Sequence, residues 1–246
     1  MRIAMVTTAV LACACSIACS IPEKQLTPLG PPYACLNQPL PTTAKTQVTV
    51  TGTLSDPFAG NMVSGAVVEG FQVGIPNVPI FMTTSDTSGN FTQRQGTGNV
   101  PRDAYLKITK NGYLDTYYYP AVPISDDLNV TVQMFSTMVL GKLAAAAQVN
   151  VDPTKALFAV AVIDCNGMPV GGAMVTTDPP GDVRYFDAME NPSPVAVATD
   201  SRTGTALVAN VPVSNTAINA TVLGMTLHSH RVDAVPNAIM ETEIQP

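Results

Sequence analysis

From residue 47 to residue 54 the chain alternates. Val48, Val50 and Leu54 fall on one side of an extended strand, and Thr49, Thr51 and Thr53 fall on the other. A period of two buries one face and leaves the other in water, which a helix cannot do. Residues 65–71, 78–84, 91–94, 105–109, 113–119 and 129–135 read as further strands. The segments between them carry turn chemistry. In Ser85-Asp86-Thr87-Ser88-Gly89-Asn90 the Asp caps its own backbone and the Gly takes positive φ; Asn111-Gly112 is a second turn. Many short strands at close spacing predict a β-sandwich. Composition agrees: charged residues are only 12%, about half the usual share, and 21 Pro and 17 Gly punctuate a Val- and Thr-rich chain.

Residues 136–149 break the pattern. Ser136 or Thr137 can cap a helix, and Lys142-Leu143-Ala144-Ala145-Ala146-Ala147 has high helix propensity. A second β run starts at residues 157–163, and it repeats the first. Gly65-Ala66-Val67-Val68 matches Gly172-Ala173-Met174-Val175. Ser85-Asp86-Thr87-Ser88-Gly89 matches Thr199-Asp200-Ser201-Arg202-Thr203-Gly204 with one insertion, and Tyr105-Leu106-Lys107-Ile108 matches Asn219-Ala220-Thr221-Val222. The expected fold is all-β: two tandem immunoglobulin-like or prealbumin-like sandwiches, residues 47–135 and 157–246, joined by a helical linker at 136–156.

The first 46 residues read differently. Arg2 and the charge-free stretch after it have the layout of an export signal, residues 1–18. Ser16-Ile17-Ala18-Cys19 fits a bacterial lipobox, making Cys19 the expected acylated residue. Cys13 is the alternative, and ordinary cleavage near Ala14 or Ala18 a third reading. Acyl chains would attach the protein to a membrane without a spanning helix. Residues 19–46, with six prolines, read as a semi-extended tether. The two remaining cysteines, Cys35 and Cys165, suggest a disulfide in an exported protein, the alternative being two separate buried thiols.

At Gly167-Met168-Pro169-Val170-Gly171-Gly172-Ala173-Met174-Val175 in the second half, and at Ser85-Asp86-Thr87-Ser88-Gly89-Asn90-Phe91 and Asn111-Gly112-Tyr113 in the first, the chain resembles the carboxypeptidase regulatory-like domains. The resemblance covers residues 47–135 and 158–245. It implies transthyretin-like sandwiches that support, space or bind, with carbohydrate or protein as partners. Its motifs specify fold and not activity. Residues 178–194 depart from the pattern and are expected to form a long loop.

Catalysis has no motif here: no nucleophile elbow, zinc-protease helix or phosphate-cradling loop is present. A net charge of −6 without a basic run argues against nucleic acid. His228-Ser229-His230 sets two imidazoles on one strand face, but no third ligand is assignable, so neither metal nor cofactor is expected. Asp86-Thr87-Ser88-Gly89-Asn90 lacks the Gly and Glu of a calcium loop. In Tyr117-Tyr118-Tyr119, Tyr117 and Tyr119 share a face and are the candidates for stacking on a sugar. The sequence thus leads to a non-catalytic, lipid-anchored protein of the bacterial outer membrane or cell surface. It acts as a structural or partner-binding module, for an envelope protein or a polysaccharide, and a carbohydrate-binding module is the alternative.

Overall fold

The computed structural model describes residues 31–246. The expected export signal, Cys13, Cys19 and the first part of the expected tether lie outside the described residues. A 3-10 turn at Pro31–Tyr33 precedes eight strands: β1 (Gln47–Asp56), β2 (Asn61–Met62), β3 (Val67–Gln72), β4 (Phe81–Thr84), β5 (Asn90–Gly96), β6 (Ala104–Thr109), β7 (Asp115–Tyr119) and β8 (Leu128–Gln133). Helix α1 (Thr137–Ala147) follows. Then come β9 (Ala156–Val162), β10 (Met174–Asp178), β11 (Asp182–Phe186), β12 (Pro192–Ser193), β13 (Thr205–Val211), β14 (Asn215–Val222), β15 (Met225–Thr226), β16 (His230–Asp233) and β17 (Ala238–Ile244).

The pairings of the first half recur in the second. β1 pairs antiparallel with β5 and parallel with β8; β9 pairs antiparallel with β13 and parallel with β17. β6 lies between β3 and β7, as β14 lies between β10 and β16. The repeated sequence landmarks have repeated jobs. The Ser85 hydroxyl accepts the Ala66 N–H at 3.0 Å and donates to Val63 O at 2.8 Å. The Thr199 hydroxyl accepts the Ala173 N–H at 2.9 Å and donates to Val170 O at 2.6 Å. In the turns that follow, Gly89 (φ 73°) and Gly204 (φ 61°) lie against a strand: a Cβ would sit 2.5 Å from Leu54 O or 2.6 Å from Val162 O. Only glycine tolerates both the backbone angle and the approach.

The halves are not separate sandwiches linked by a helix, as the sequence suggests. One nine-stranded sheet runs through both, in the order β12-β11-β13-β9-β17-β7-β6-β3-β4. The seam is β17, parallel to β9 on one side and to β7 on the other, with Met240 opposite Phe158 and Tyr117. A strand flanked on both edges and covered on both faces buries nearly every side chain, and six of the seven residues of β17 are buried.

Residues opposite one another in register share a face, so the pairings assign the two cores. On one face Phe71, Tyr105, Tyr119, Phe158, Val160 and Met240 pack under the small sheet of β10, β14, β15 and β16. On the other, Val68, Leu106, Ile108 and Tyr118 pack under the small sheet of β1, β2, β5 and β8. The two small sheets therefore lie on opposite faces of the shared one. Helix α1 is more than a connector: Leu143 and Ala147 are buried with Leu157, Leu207 and Ile239 on the second face, beyond β8.

From residue 31 the expected tether is held down. Tyr33 and Leu36 pack against the second-half core, the Cys165 N–H donates to Pro32 O at 2.9 Å, and the Lys45 N–H donates to Ser125 O. Cys35 and Cys165 form a disulfide. Residues 178–194 are no loop. They supply β11 and β12, because Val183 and Tyr185 pair with Val208 and Ala206 of β13 and extend the shared sheet.

Candidate groove beside a free sheet edge

The second face of the shared sheet is covered unevenly. The first small sheet stops at β8, which pairs with β1 alone among the described residues. Between β8 and the β11–β13 margin a groove remains. Its larger part, about 440 Å³, is walled by Phe58 and Phe135 and by Phe186 and Met189, over Leu157 and Leu207. Phe58 and Met189 are exposed at its rim. It opens into a smaller cavity of about 140 Å³ between Thr131 and Gln133 of β8 and a floor of Ala159, Ala161 and Thr205. Small floor residues make the space, and Tyr118, Glu241 and Glu243 border it.

Two carboxyl groups stand in this smaller cavity, on alternate residues of β17. Glu241 is buried, and both of its oxygens receive the Gln133 N–H, at 3.0 and 3.2 Å. Burial pushes its carboxyl up from 4.5 to about 8, the Gln133 N–H opposing and the neighbouring Glu243 charge adding to the rise. Glu243 is raised too, by burial, against the pull of the Tyr118 hydroxyl, which donates to it at 3.0 Å. Among the described residues neither forms an ion pair; the ion pairs are Lys45 with Asp126 and Asp127, and Lys107 with Asp115. No Ser, Cys, His or Lys lines this cavity. The pair offers hydrogen-bond acceptors, and a cation that entered would draw off the proton that burial retains; the hydroxyls beside it are those of Tyr118, Thr131, Thr205 and Thr242.

The residues singled out in the sequence lie elsewhere. Tyr119 is buried, stacked on Tyr105 at 4.9 Å, with Phe71 5.4 Å beyond. Tyr117 is half-buried, 6.1 Å from Tyr105 and under the Lys107 ammonium. These rings fill the junction between the two halves, so Tyr117 and Tyr119 do not form the exposed stacking pair expected of them. His230 begins β16 and sets Nε2 2.5 Å from the Thr242 hydroxyl; burial holds its value below that of a free imidazole. His228 lies outside the strand, by a cavity of about 500 Å³ against residues 35–41. Among the described residues no three His, Cys, Asp or Glu side chains converge as a metal site requires. Sequence reasoning missed the carboxyl pair. Its one signal was two glutamates spaced by two in an otherwise apolar strand, Ala238-Ile239-Met240-Glu241-Thr242-Glu243-Ile244.

No known family matches the chain, and no curated protein resembles it in sequence. Several solved structures share part of its fold at low superposition. The Bacillus anthracis TIE protein is 12% identical with a TM-score of 0.29, the match covering 81% of this chain and 33% of that one. Hydroxyquinol 1,2-dioxygenase from Pseudomonas putida DLL-E4 is 14% identical with a TM-score of 0.28, covering 40% and 63%. The shaft pilin SpaA from Lactobacillus rhamnosus GG is 10% identical with a TM-score of 0.25, covering 83% and 98%. Likeness at this level carries no argument about what this chain does.

Proposed function

We propose that this chain is an exported, non-catalytic lipoprotein of the bacterial cell envelope, acylated at Cys19, that holds a protein partner in the groove beside β8. Its halves are two copies of a carboxypeptidase regulatory-like unit, each laying a small sheet against its part of the shared sheet. The observation that carries the reading is the groove itself: an apolar trough with two carboxyls that form no ion pair among the described residues, on a sheet that spans both halves. Such a surface suits binding. The Cys35–Cys165 disulfide supports export, since such bonds persist in oxidising compartments. Carbohydrate binding loses its support with Tyr119 under cover.

A photo-crosslinking residue at Met189, in cells, tests the site. One dominant protein adduct is expected, lost on Phe58→Glu and absent when the crosslinker stands at exposed Val213. Equal labelling from both positions, or an adduct that survives Phe58→Glu, would overturn the assignment. The intact mass of the membrane-extracted protein tests the anchor: a mature chain without acyl groups at Cys19 would refute it.

A further inference from the structure

We propose that the groove takes an extended segment of a partner protein, which pairs as an added strand with the free edge of β8 and sets a lysine or arginine against Glu241 and Glu243. This rests on the partner-binding reading above and names its chemistry.

Three observations converge. The first is the edge. Along a strand the backbone groups of successive residues point to alternate sides. The Met134 N–H donates to Ser55 O on the β1 side, and the Gln133 N–H points away to Glu241. By the same alternation the backbone groups of Asn129 and Thr131 face away from β1. Among the described residues no strand meets them. An unpaired edge is a template for another strand.

The second is the floor. Stacked sheets lie about 10 Å apart, and neighbouring strands about 4.8 Å. A strand added beside β8 would therefore run over Ala159, Ala161 and Thr205, which are small and partly exposed. It would extend the first small sheet across a floor that now has no layer above it. One end would meet the apolar trough at Phe58 and Phe135.

The third is charge. Glu241 and Glu243 face into the same cavity, and no cation of the described chain pairs with either. Glu241 also occupies the Gln133 N–H, so it ends the free edge there and limits pairing to Asn129 and Thr131. A basic side chain brought against these carboxyls draws off their proton and forms an ion pair, which an acidic or neutral side chain cannot do. The fit is to an alternating segment whose inward side chains are basic over β17 and apolar over the trough.

The test uses the protein with a capped alternating Val/Lys octapeptide and its Val/Glu counterpart, read by amide hydrogen exchange and titration. The Val/Lys peptide should slow exchange at Thr131 and bind about tenfold more tightly than Val/Glu. Thr131→Pro removes a donor that β1 does not use, so the ladder survives and peptide protection is lost. Glu243→Gln, which keeps the shape, should erase the preference for Lys. Equal binding of the two peptides, or an unprotected Thr131 amide, overturns the proposal. If the crosslinked partner at Met189 persists through such a failure, the groove remains a binding site and only its occupant has been misassigned.

Discussion

Glu241→Gln should make the protein more stable, and more so as pH rises. The native carboxyl is buried, and its pKa is raised from 4.5 to about 8. The folded state therefore keeps a proton that the unfolded chain releases near pH 4.5. Stability from this group is fully present below pH 4.5 and is lost as pH rises through about 8. A tenfold difference in proton affinity between the folded and unfolded chain is worth about 1.4 kcal/mol, so the loss by pH 8 is roughly 4 kcal/mol as an upper bound. Glutamine never ionises, and its side-chain oxygen can still accept the Gln133 N–H. Urea denaturation of native and variant protein at pH 5 and pH 8, with m-values compared, measures the effect. The variant should match the native protein within about 1 kcal/mol at pH 5 and exceed it by a few kcal/mol at pH 8. Carboxylates such as Asp127, held low by the Thr49 N–H, act in the opposite sense at lower pH and cancel in the difference. A stability difference that is the same at both pH values would refute the reasoning.

Cys35→Ser should lower stability by up to about 5 kcal/mol, the chain entropy of a loop closed over 130 residues, and a shift in the urea midpoint checks it. Gly204→Ala should cost at least about 2 kcal/mol, because φ is positive and the new Cβ meets Val162 O; Gly224→Ala, with positive φ but open space, should cost about 1. Thermal unfolding separates the two. Thr199→Val deletes the hydroxyl that joins the Ala173 N–H to Val170 O and should cost about 2–3 kcal/mol by denaturant titration. Ser85→Ala should cost about the same in the first half, since it breaks the same arrangement.

The strands were legible where one face is wet. The alternation of β1, with Val48, Val50 and Leu54 inward, survives in the structure as an alternation of buried and half-buried residues. The Gly-Ala and Asp-Gly repeats were legible because each is a local turn with fixed chemistry. The seam was not. Parallel pairing of β17 with β7 joins residues more than 120 positions apart, and no local period encodes it. β11 was missed for a related reason: Asp182-Val183-Arg184-Tyr185-Phe186 is a margin strand flanked by prolines, and its partner fixes it more than its own sequence does. Nothing local marks the glutamates of β17 as facing an interior. Only the position of β8 above them makes that face an interior.

The connection between the halves also fixes how the molecule carries load. A pull arriving from upstream of Cys35 divides there: one path runs through the disulfide into the second half directly after β9, the other along residues 36–46 into β1. The two halves are in turn joined across the five paired residues of β17 and β7 and through the chain at α1. Those parallel strands are loaded side by side and must slide together to part. In mechanical terms the two halves are held in parallel from one point, although they follow one another along the chain.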